Sequence, residues 1–239
     1  MLPFAEMKDA KERIARATRP YLFRNGTILT DLPEEDLKLI KSSAKSDTLK
    51  RGEILFKQGA YPKGVYWLIS GKVKIYQETS EGNRQTLYIY SDGDLMGHRQ
   101  FLAEESHPVS ASLLEDASVL LISGDTFRGL LNSSPFFARN VLVALAREFS
   151  VWMNRTTVFT KYPVRYRLIL ALLILHEQYR TSGSKPGFIT MTRTELAEYV
   201  GASLATVVRA LNKLKSANLV QVQGRRIELP DVSGLLDEM

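Results

Sequence analysis

The stretch from Thr192 to Leu211 constrains this chain more than any other, because it reads as two short helices joined by a tight turn. Thr192, with Glu195 three residues later, has the form of a capping box, in which each side chain satisfies the other residue's backbone N–H. The helix it opens carries Leu196, Ala197 and Val200 on one face. Gly201 supplies the backbone conformation that ends a helix, and Ser203 can cap the next. The second helix is expected to bury Val207, Ala210, Leu211 and Leu214, and the small Ala197 lets the two helices approach closely. This is the helix-turn-helix arrangement. An αα-hairpin that uses the same residues only for packing is the alternative at this point.

The residues C-terminal to the motif narrow the choice. Leu219 to Leu229 reads as a β-hairpin turning at Gly224, the wing of a winged helix, with Arg225 and Arg226 at its tip. In a helix-turn-helix the second helix enters the DNA major groove, leading with its N-terminal residues. Those are Ser203, Leu204, Ala205 and Thr206, with Arg209 one turn on and Lys213 beyond it. An arginine at that place can reach guanine O6 and N7 together, a contact worth about 1–3 kcal/mol of discrimination. Thr192 and Arg193 at the start of the first helix complete the expected DNA-facing set. Between Tyr199 and Ile227 the charged residues are Arg209, Lys213, Lys215, Arg225 and Arg226, with no acidic residue among them. The net charge of +6 agrees with a polyanionic partner but does not by itself require one.

The rest of the chain differs in texture. Ala5–Arg16 and Pro33–Ala44 read as helices, the second favoured by Glu34, Glu35 and Asp36 at its positive end. The polar and aromatic connector Arg19–Thr30 carries no clear signal. From Thr48 to about Asp125 short runs rich in β-branched and aromatic residues alternate with turns. The runs are Glu53–Phe56, Val65–Ile69, Lys72–Tyr76, Gln85–Tyr90 and Ser118–Ile122, and the turns fall at Gly52, Gly59, Gly71, Gly82 and Gly93. Such spacing predicts an all-β roll, barrel or sandwich. A long helix then opens at Pro135 and runs unbroken to Pro163, with Val141, Leu145, Phe149, Trp152, Val158 and Phe159 at helical intervals. About 25 residues of helix span roughly 37 Å, enough to pack on the roll along one stripe and pair with a second copy along another. Docking on its own roll alone is the alternative.

Composition removes several classes. There is no cysteine, which excludes disulfides and cysteine-ligated zinc or iron–sulfur centres. The longest apolar run, Leu168 to Leu175, is too short to cross a bilayer, and Met1 to Asp9 is acidic without a signal-like apolar run. A cytoplasmic protein with no membrane partner is the expectation. The three histidines, His98, His107 and His176, do not cluster as metal ligands, and no phosphate loop, nucleophile elbow or His-Glu-x-x-His motif is present. An enzyme is not expected.

A glycine-punctuated roll, a long helix and a C-terminal winged helix, in that order, resemble the cyclic-AMP receptor protein and fumarate–nitrate regulator superfamily. The matching residues are Lys50 to Phe56, Gln58-Gly59, Gly71 to Lys74, Gly82 and Gly93 to Gly97 in the roll. In the C-terminal part they are Glu195 to Ala197, Val200-Gly201, Thr206-Val207, Arg209 to Leu211 and Gly224-Arg225. The resemblance covers about residues 30 to 230. It implies an α+β chain: a double-stranded, jelly-roll-like β-roll, a long dimerisation helix and a C-terminal winged helix-turn-helix. The expected domains are an N-terminal extension at 1–30, a cyclic-nucleotide-binding-like effector domain at 31–133, a dimerisation helix at 134–162 and the DNA-binding domain at 163–239. The implied protein is a homodimeric transcription regulator on palindromic double-stranded DNA, with RNA polymerase a candidate partner.

Two departures from the family bear on the effector. The family holds a cyclic nucleotide with a Glu after the glycine, which accepts from the ribose hydroxyl, and an Arg near the end of the cassette, which meets the phosphate. Here His98 follows Gly97, and the Arg region reads His107-Pro108-Val109-Ser110-Ala111-Ser112. The long helix carries Val151, Trp152 and Met153 where the receptor protein has the Thr-Ser pair that touches adenine. Cyclic AMP is therefore not the expected effector, because a buried anion without a cationic partner is costly. Three readings of the roll stay open: another small ligand lined by Gly97, His98, Arg99, Ser110 and Ala111, with Trp152 and Met153 from the helix; haem on His98 or His107; or no ligand. Leu204 and Ala205 also replace the base-reading Arg and Glu of the receptor protein, so the family's usual half-site is not expected. This leaves as the alternative an effector-binding or haem-sensing module of the same fold with altered or lost DNA binding.

Overall fold

The computed structural model describes residues 4–180 and 188–239, with side chains described from Lys11 onward. In chain order the elements begin with α1 (Phe4–Thr18), α2 (Glu34–Ser43), β1 (Lys45–Leu49), β2 (Ile54–Phe56), β3 (Gly64–Ser70), β4 (Val73–Glu78) and β5 (Arg84–Tyr90). They continue with β6 (Leu95–Met96), α3 (His98–Ala103), β7 (Ser110–Leu113), β8 (Ala117–Ser123), α4 (Gly124–Ser133), α5 (Pro135–Lys161) and α6 (Val164–Arg180). The last are β9 (Ile189–Thr190), α7 (Arg193–Val200), α8 (Leu204–Ser216), β10 (Gln221–Gln223), β11 (Arg226–Glu228) and α9 (Val232–Asp237). The chain forms two compact units, Arg24–Phe149 and a second made from both chain ends, Met1–Phe23 with Ser150–Met239.

The first unit is the β-roll. Two antiparallel four-stranded sheets, in the orders β1-β8-β3-β6 and β2-β7-β4-β5, face one another across an apolar interior. Val65 and Ile122 pair across β3 and β8, and Val73 and Tyr90 across β4 and β5. All four are buried, as expected where inward residues of facing strands set the register. Gly71 is required at its turn. Its φ is 108°, and a Cβ there would lie 2.6 Å from the Cβ of Ala117. One core cluster joins Val65, Leu95 and Ile122 of the sheet to Phe127 and Leu130 of α4 and to Phe137, Val141 and Ala144 of α5. Ile28 and Leu29 belong to the same cluster, so the connector without a sequence signal is part of the core.

Several expectations need correction. The sheets begin at Lys45 rather than Thr48, and β6, β7 and α4 carry no forecast in the sequence. β7, Ser-Ala-Ser-Leu, is buried throughout although two of its four residues are hydroxylic. Its backbone satisfies itself by pairing with β2 on one side and β4 on the other. His98, a candidate ligand or haem residue, is the first residue of α3 and fully buried.

In the second unit α6 is buried continuously from Leu168 to Leu175, which accounts for the longest apolar run in the chain. Helix α1 lies against α6 and α9 and buries Ile14. Arg13 of α1 forms an ion pair with Asp237 of α9. No described helix is long and apolar enough to cross a membrane.

Candidate nucleic-acid interface

Local chemistry sets the two helices of the motif. The Thr192 Oγ1 accepts from the Glu195 N–H at 3.1 Å, and a Glu195 carboxylate oxygen accepts from the Thr192 N–H at 2.7 Å. The capping box is therefore complete, and the Glu195 carboxylate sits at the positive end of α7. Gly201, with φ 68° and ψ 46°, ends α7 in the left-handed region. The guanidinium of Arg167 donates to the carbonyls of Val200 and Gly201 at 3.1 and 2.9 Å, satisfying the end of the helix from outside. No local signal marks this role, because Arg167 is 33 positions away from Val200. Ser203 caps α8 by accepting from the Thr206 N–H.

Helix α8 buries Val207, Leu211 and Leu214. Ala210, expected in the core, is only half-buried, because it turns toward a groove that it shares with Val164, Arg165, Thr206, Arg209 and Lys213. Ser203, Leu204, Ala205, Arg209 and Lys213 are all exposed. Leu204 is 46% exposed, a large apolar side chain left in water at the leading end of the helix. A surface of this kind suits contact with base edges: hydroxyls and a guanidinium for polar groups, and leucine and alanine for thymine methyls.

The wing forms as a three-stranded sheet in the order β10-β11-β9. Gln223 pairs with Arg226 across the turn, and Gly224 takes φ 56°. Arg193 donates to the Gly224 carbonyl, and the Met191 N–H donates to the Arg225 carbonyl at 2.9 Å. These contacts tie the wing tip to the start of α7. Arg226 lies 3.9 Å over the Phe188 ring and pairs with Glu228. Of the basic residues in the expected set, Arg193 is half-buried and bonded within the fold, and Arg226 is exposed but stacked and paired. Arg209, Lys213 and Arg225 are exposed, with Arg209 reaching the Thr206 hydroxyl at 3.5 Å.

The residues expected to line an effector cavity in the roll are arranged differently. Gly97, with φ 83°, leads into α3. Behind it, the carboxylate of Glu148 on α5 gathers three partners. Asn25 Nδ2 donates to it at 2.8 Å, His98 Nε2 is 3.3 Å away and Arg99 Nε is 3.4 Å away. Glu148 and His98 are 1% exposed, and neither ring nitrogen of His98 has a well-directed hydrogen bond. Burial pushes the Glu148 carboxyl up, but the contacts with His98, Arg99 and Asn25 outweigh it and hold it below the usual carboxylate range. Arg99 also donates to the Tyr90 hydroxyl at 3.3 Å. Nearby, burial pushes Asp94 up to about 6, against hydrogen bonds from the Ser91, Asn25 and Gly26 backbone and the Arg24 charge. Asn25 and Glu148 carry no local signal, whereas Asp94 falls in the Gly93 to Gly97 stretch.

The remaining members lie apart. Ser110 accepts from the Gln58 N–H at 2.9 Å, and Ala111 is fully buried in β7. His107 stacks on Phe56 with ring centres 4.0 Å apart, and burial lowers its pKa. Trp152 packs on Phe23 in the other unit, where Met153 is 57% exposed. Among the described residues no group of three or more His, Cys, Asp or Glu is placed to hold a metal ion.

Comparison with known proteins agrees with this geometry. A cyclic nucleotide-binding domain model matches residues 47–134, and a Crp-like helix-turn-helix domain model matches residues 166–238. The Anaerobic regulatory protein of Haemophilus influenzae is 26% identical over 191 residues, 79% of this chain and 74% of its own length. The Transcriptional activator protein Anr of Pseudomonas protegens is 29% identical over 185 residues, 77% of this chain and 75% of its own. Among solved structures, FixK2 from Bradyrhizobium japonicum has the same fold, with a TM-score of 0.72, 23% identity, and 81% of this chain and 96% of its own covered. The first two relatives are, by name, a regulatory protein and a transcriptional activator. The ordered roll and winged helix, with both family models on the same chain, make this protein a DNA-binding transcription regulator belonging to the cyclic-AMP receptor protein and fumarate–nitrate regulator superfamily.

Proposed function

We propose that the chain acts in the cytoplasm as a homodimer on palindromic DNA, reading each half-site with α8 and holding phosphates with the wing. The observation that carries the reading is the exposed leading surface of α8, from Ser203 to Lys213, beside the exposed Arg225 of the wing. Ser203, Leu204, Ala205, Thr206 and Arg209 are the base-reading set, and Lys213 and Arg225 meet the backbone. Thr192 and Arg193 serve chiefly to hold α7 and the wing in position. Residues 134–162 are the dimerisation helix. Leu142 and Phe149 are each 67% exposed and lie seven positions apart, the repeat of a helix–helix seam. A two-fold dimer of this kind spaces its half-sites about 34–36 Å apart.

The effector domain is the roll of residues 31–133 together with the connector from Arg24 that packs into it, and cyclic AMP is not its effector in the family's usual way. Arg99 and His98 already face the carboxylate of Glu148, and neither family residue for the ribose and phosphate is present. A cyclic phosphate placed there would meet a buried anion. RNA polymerase is the further partner through which a bound regulator would act.

The test is selection of random duplexes by the purified protein, with its mass and absorption spectrum recorded beforehand. Enrichment of a palindrome by a dimer supports the reading. A folded dimer that enriches nothing at low salt and binds with no salt dependence counts against it, and a haem band would replace the effector part. Phe149→Glu should turn the dimer into a monomer; a dimer of unchanged affinity would refute the seam.

A further inference from the structure

We propose that Arg165 is a DNA-phosphate contact masked by the acidic C-terminal turn, with Glu238 occupying its guanidinium and Arg13 holding that turn in place through Asp237. Arg165 is the second residue of α6 and lines the groove that also holds Thr206, Arg209 and Lys213 of α8. It therefore stands on the same face as the side chains that reach DNA. Its guanidinium is paired with the Glu238 carboxylate directly after α9, and both side chains are well exposed, at 59% and 41%. One residue earlier, Asp237 is paired with Arg13 of α1, at 2.5 Å.

The two pairs form a chain from the N-terminal helix to the DNA face. Leu235 seats the short helix α9, Arg13 favours that position through Asp237, and Glu238 stays within reach of Arg165. Exposed ion pairs of this kind are weak, so a phosphate oxygen can displace the carboxylate. The mask then lowers affinity modestly and gives the N-terminal helix a function in regulation. Its docking or release changes how many phosphates the protein neutralises. The mask presupposes that this face binds DNA.

The experiment measures binding of the full-length chain to a mixed-sequence duplex across a series of salt concentrations. Glu238→Gln should tighten binding about two- to fivefold at low salt, the effect expected from releasing one exposed cation. It should also steepen the slope of log affinity against log salt, by up to about 0.9, the share of one phosphate contact that the carboxylate withholds in the wild type. Arg165→Gln combined with Glu238→Gln should abolish both effects, which separates a specific mask from a simple gain in net charge. Arg13→Ala should shift affinity and slope in the same direction as Glu238→Gln. An unchanged slope in Glu238→Gln, or a gain that survives in the double variant, overturns the mask. An effect of Glu238→Gln without one of Arg13→Ala overturns the N-terminal part. Wild type and variants alike failing to bind any duplex would instead overturn the DNA-binding reading. All four side chains are exposed, so thermal melts should be near wild type.

Discussion

Replacing Glu148 tests whether the roll is held by its internal carboxylate. In Glu148→Ala, Asn25 Nδ2 keeps only the Leu95 carbonyl, at 2.7 Å, and His98 loses the charged group beside it. Arg99 keeps Tyr90 and is 29% exposed, so water compensates part of its loss. Breaking a fully buried pair by removing one partner costs about 3–5 kcal/mol. With one cation partly in water, the lower end applies, about 3 kcal/mol. Two to four degrees per kcal/mol, the usual scale for a chain of this size, makes that a fall of about 6–12 °C in the Tm of the roll. Glu148→Gln retains an acceptor for Asn25 but turns an amide toward Arg99, and should lose about 1–2 kcal/mol. The pH dependence supplies the decisive sign. The folded-state value of Glu148 lies below its unfolded one, so its contribution is present above the ordinary carboxylate range. It is lost as pH falls through the folded value. The gap between wild type and Glu148→Gln should therefore shrink on acidification. Calorimetric melts between pH 7 and pH ~3.5 read this directly. A gap below about 0.5 kcal/mol for the alanine variant, or one that does not vary with pH, would refute the account.

Asp94 should behave in the opposite sense: with a folded value of about 6 it holds its proton more tightly than the unfolded chain, so stability falls as pH rises from about 4 to about 6. The two-unit difference corresponds to about 3 kcal/mol, and urea midpoints for Asp94→Asn should lack that decline. Thr192→Ala removes half of the capping box and should cost about 1 kcal/mol of stability in the winged-helix unit; no change in its melt would deny the cap an energetic role. Arg209→Ala should relax discrimination at one base position by about 1–3 kcal/mol. Arg225→Ala should weaken all duplexes alike and reduce the salt slope by about 0.9, while Arg226→Ala should leave the slope unchanged because its guanidinium serves Phe188 and Glu228.

The winged helix was legible in the sequence because its determinants are local. A capping box spans four residues, a left-handed glycine acts where it stands, and the hairpin turns on Gly224. The major strands of the roll were legible for the same reason, through β-branched runs between glycines. β7 escaped notice because Ser-Ala-Ser-Leu has no β-branched or aromatic residue and is a strand only because β2 and β4 flank it. The Glu148 cluster could not be seen at all. Asn25 and Glu148 are 123 positions apart, and each looks like an ordinary polar residue until the fold brings them to 2.8 Å. The same holds for Arg13 and Asp237, which meet across 224 positions.

Partners, rather than residue type, separate the cations that serve DNA from those that serve the fold. In sequence Arg167, Arg193, Arg209, Arg225 and Arg226 are equivalent contributions to a net charge of +6. In the structure Arg167 closes the end of α7, Arg193 pins the wing turn and Arg226 stacks on Phe188. Arg167 and Arg193 direct donors at backbone carbonyls, and moving either to a phosphate would dismantle the element it supports, while Arg226 is held by the Phe188 ring beneath it. Arg209 and Arg225 are exposed and can turn to DNA without such a loss. Arg165 stands between the two groups, because its described partner is an exposed carboxylate that a phosphate can replace. A basic composition therefore overstates the DNA-facing charge, and affinity should follow the few cations whose partners are water or a displaceable acid.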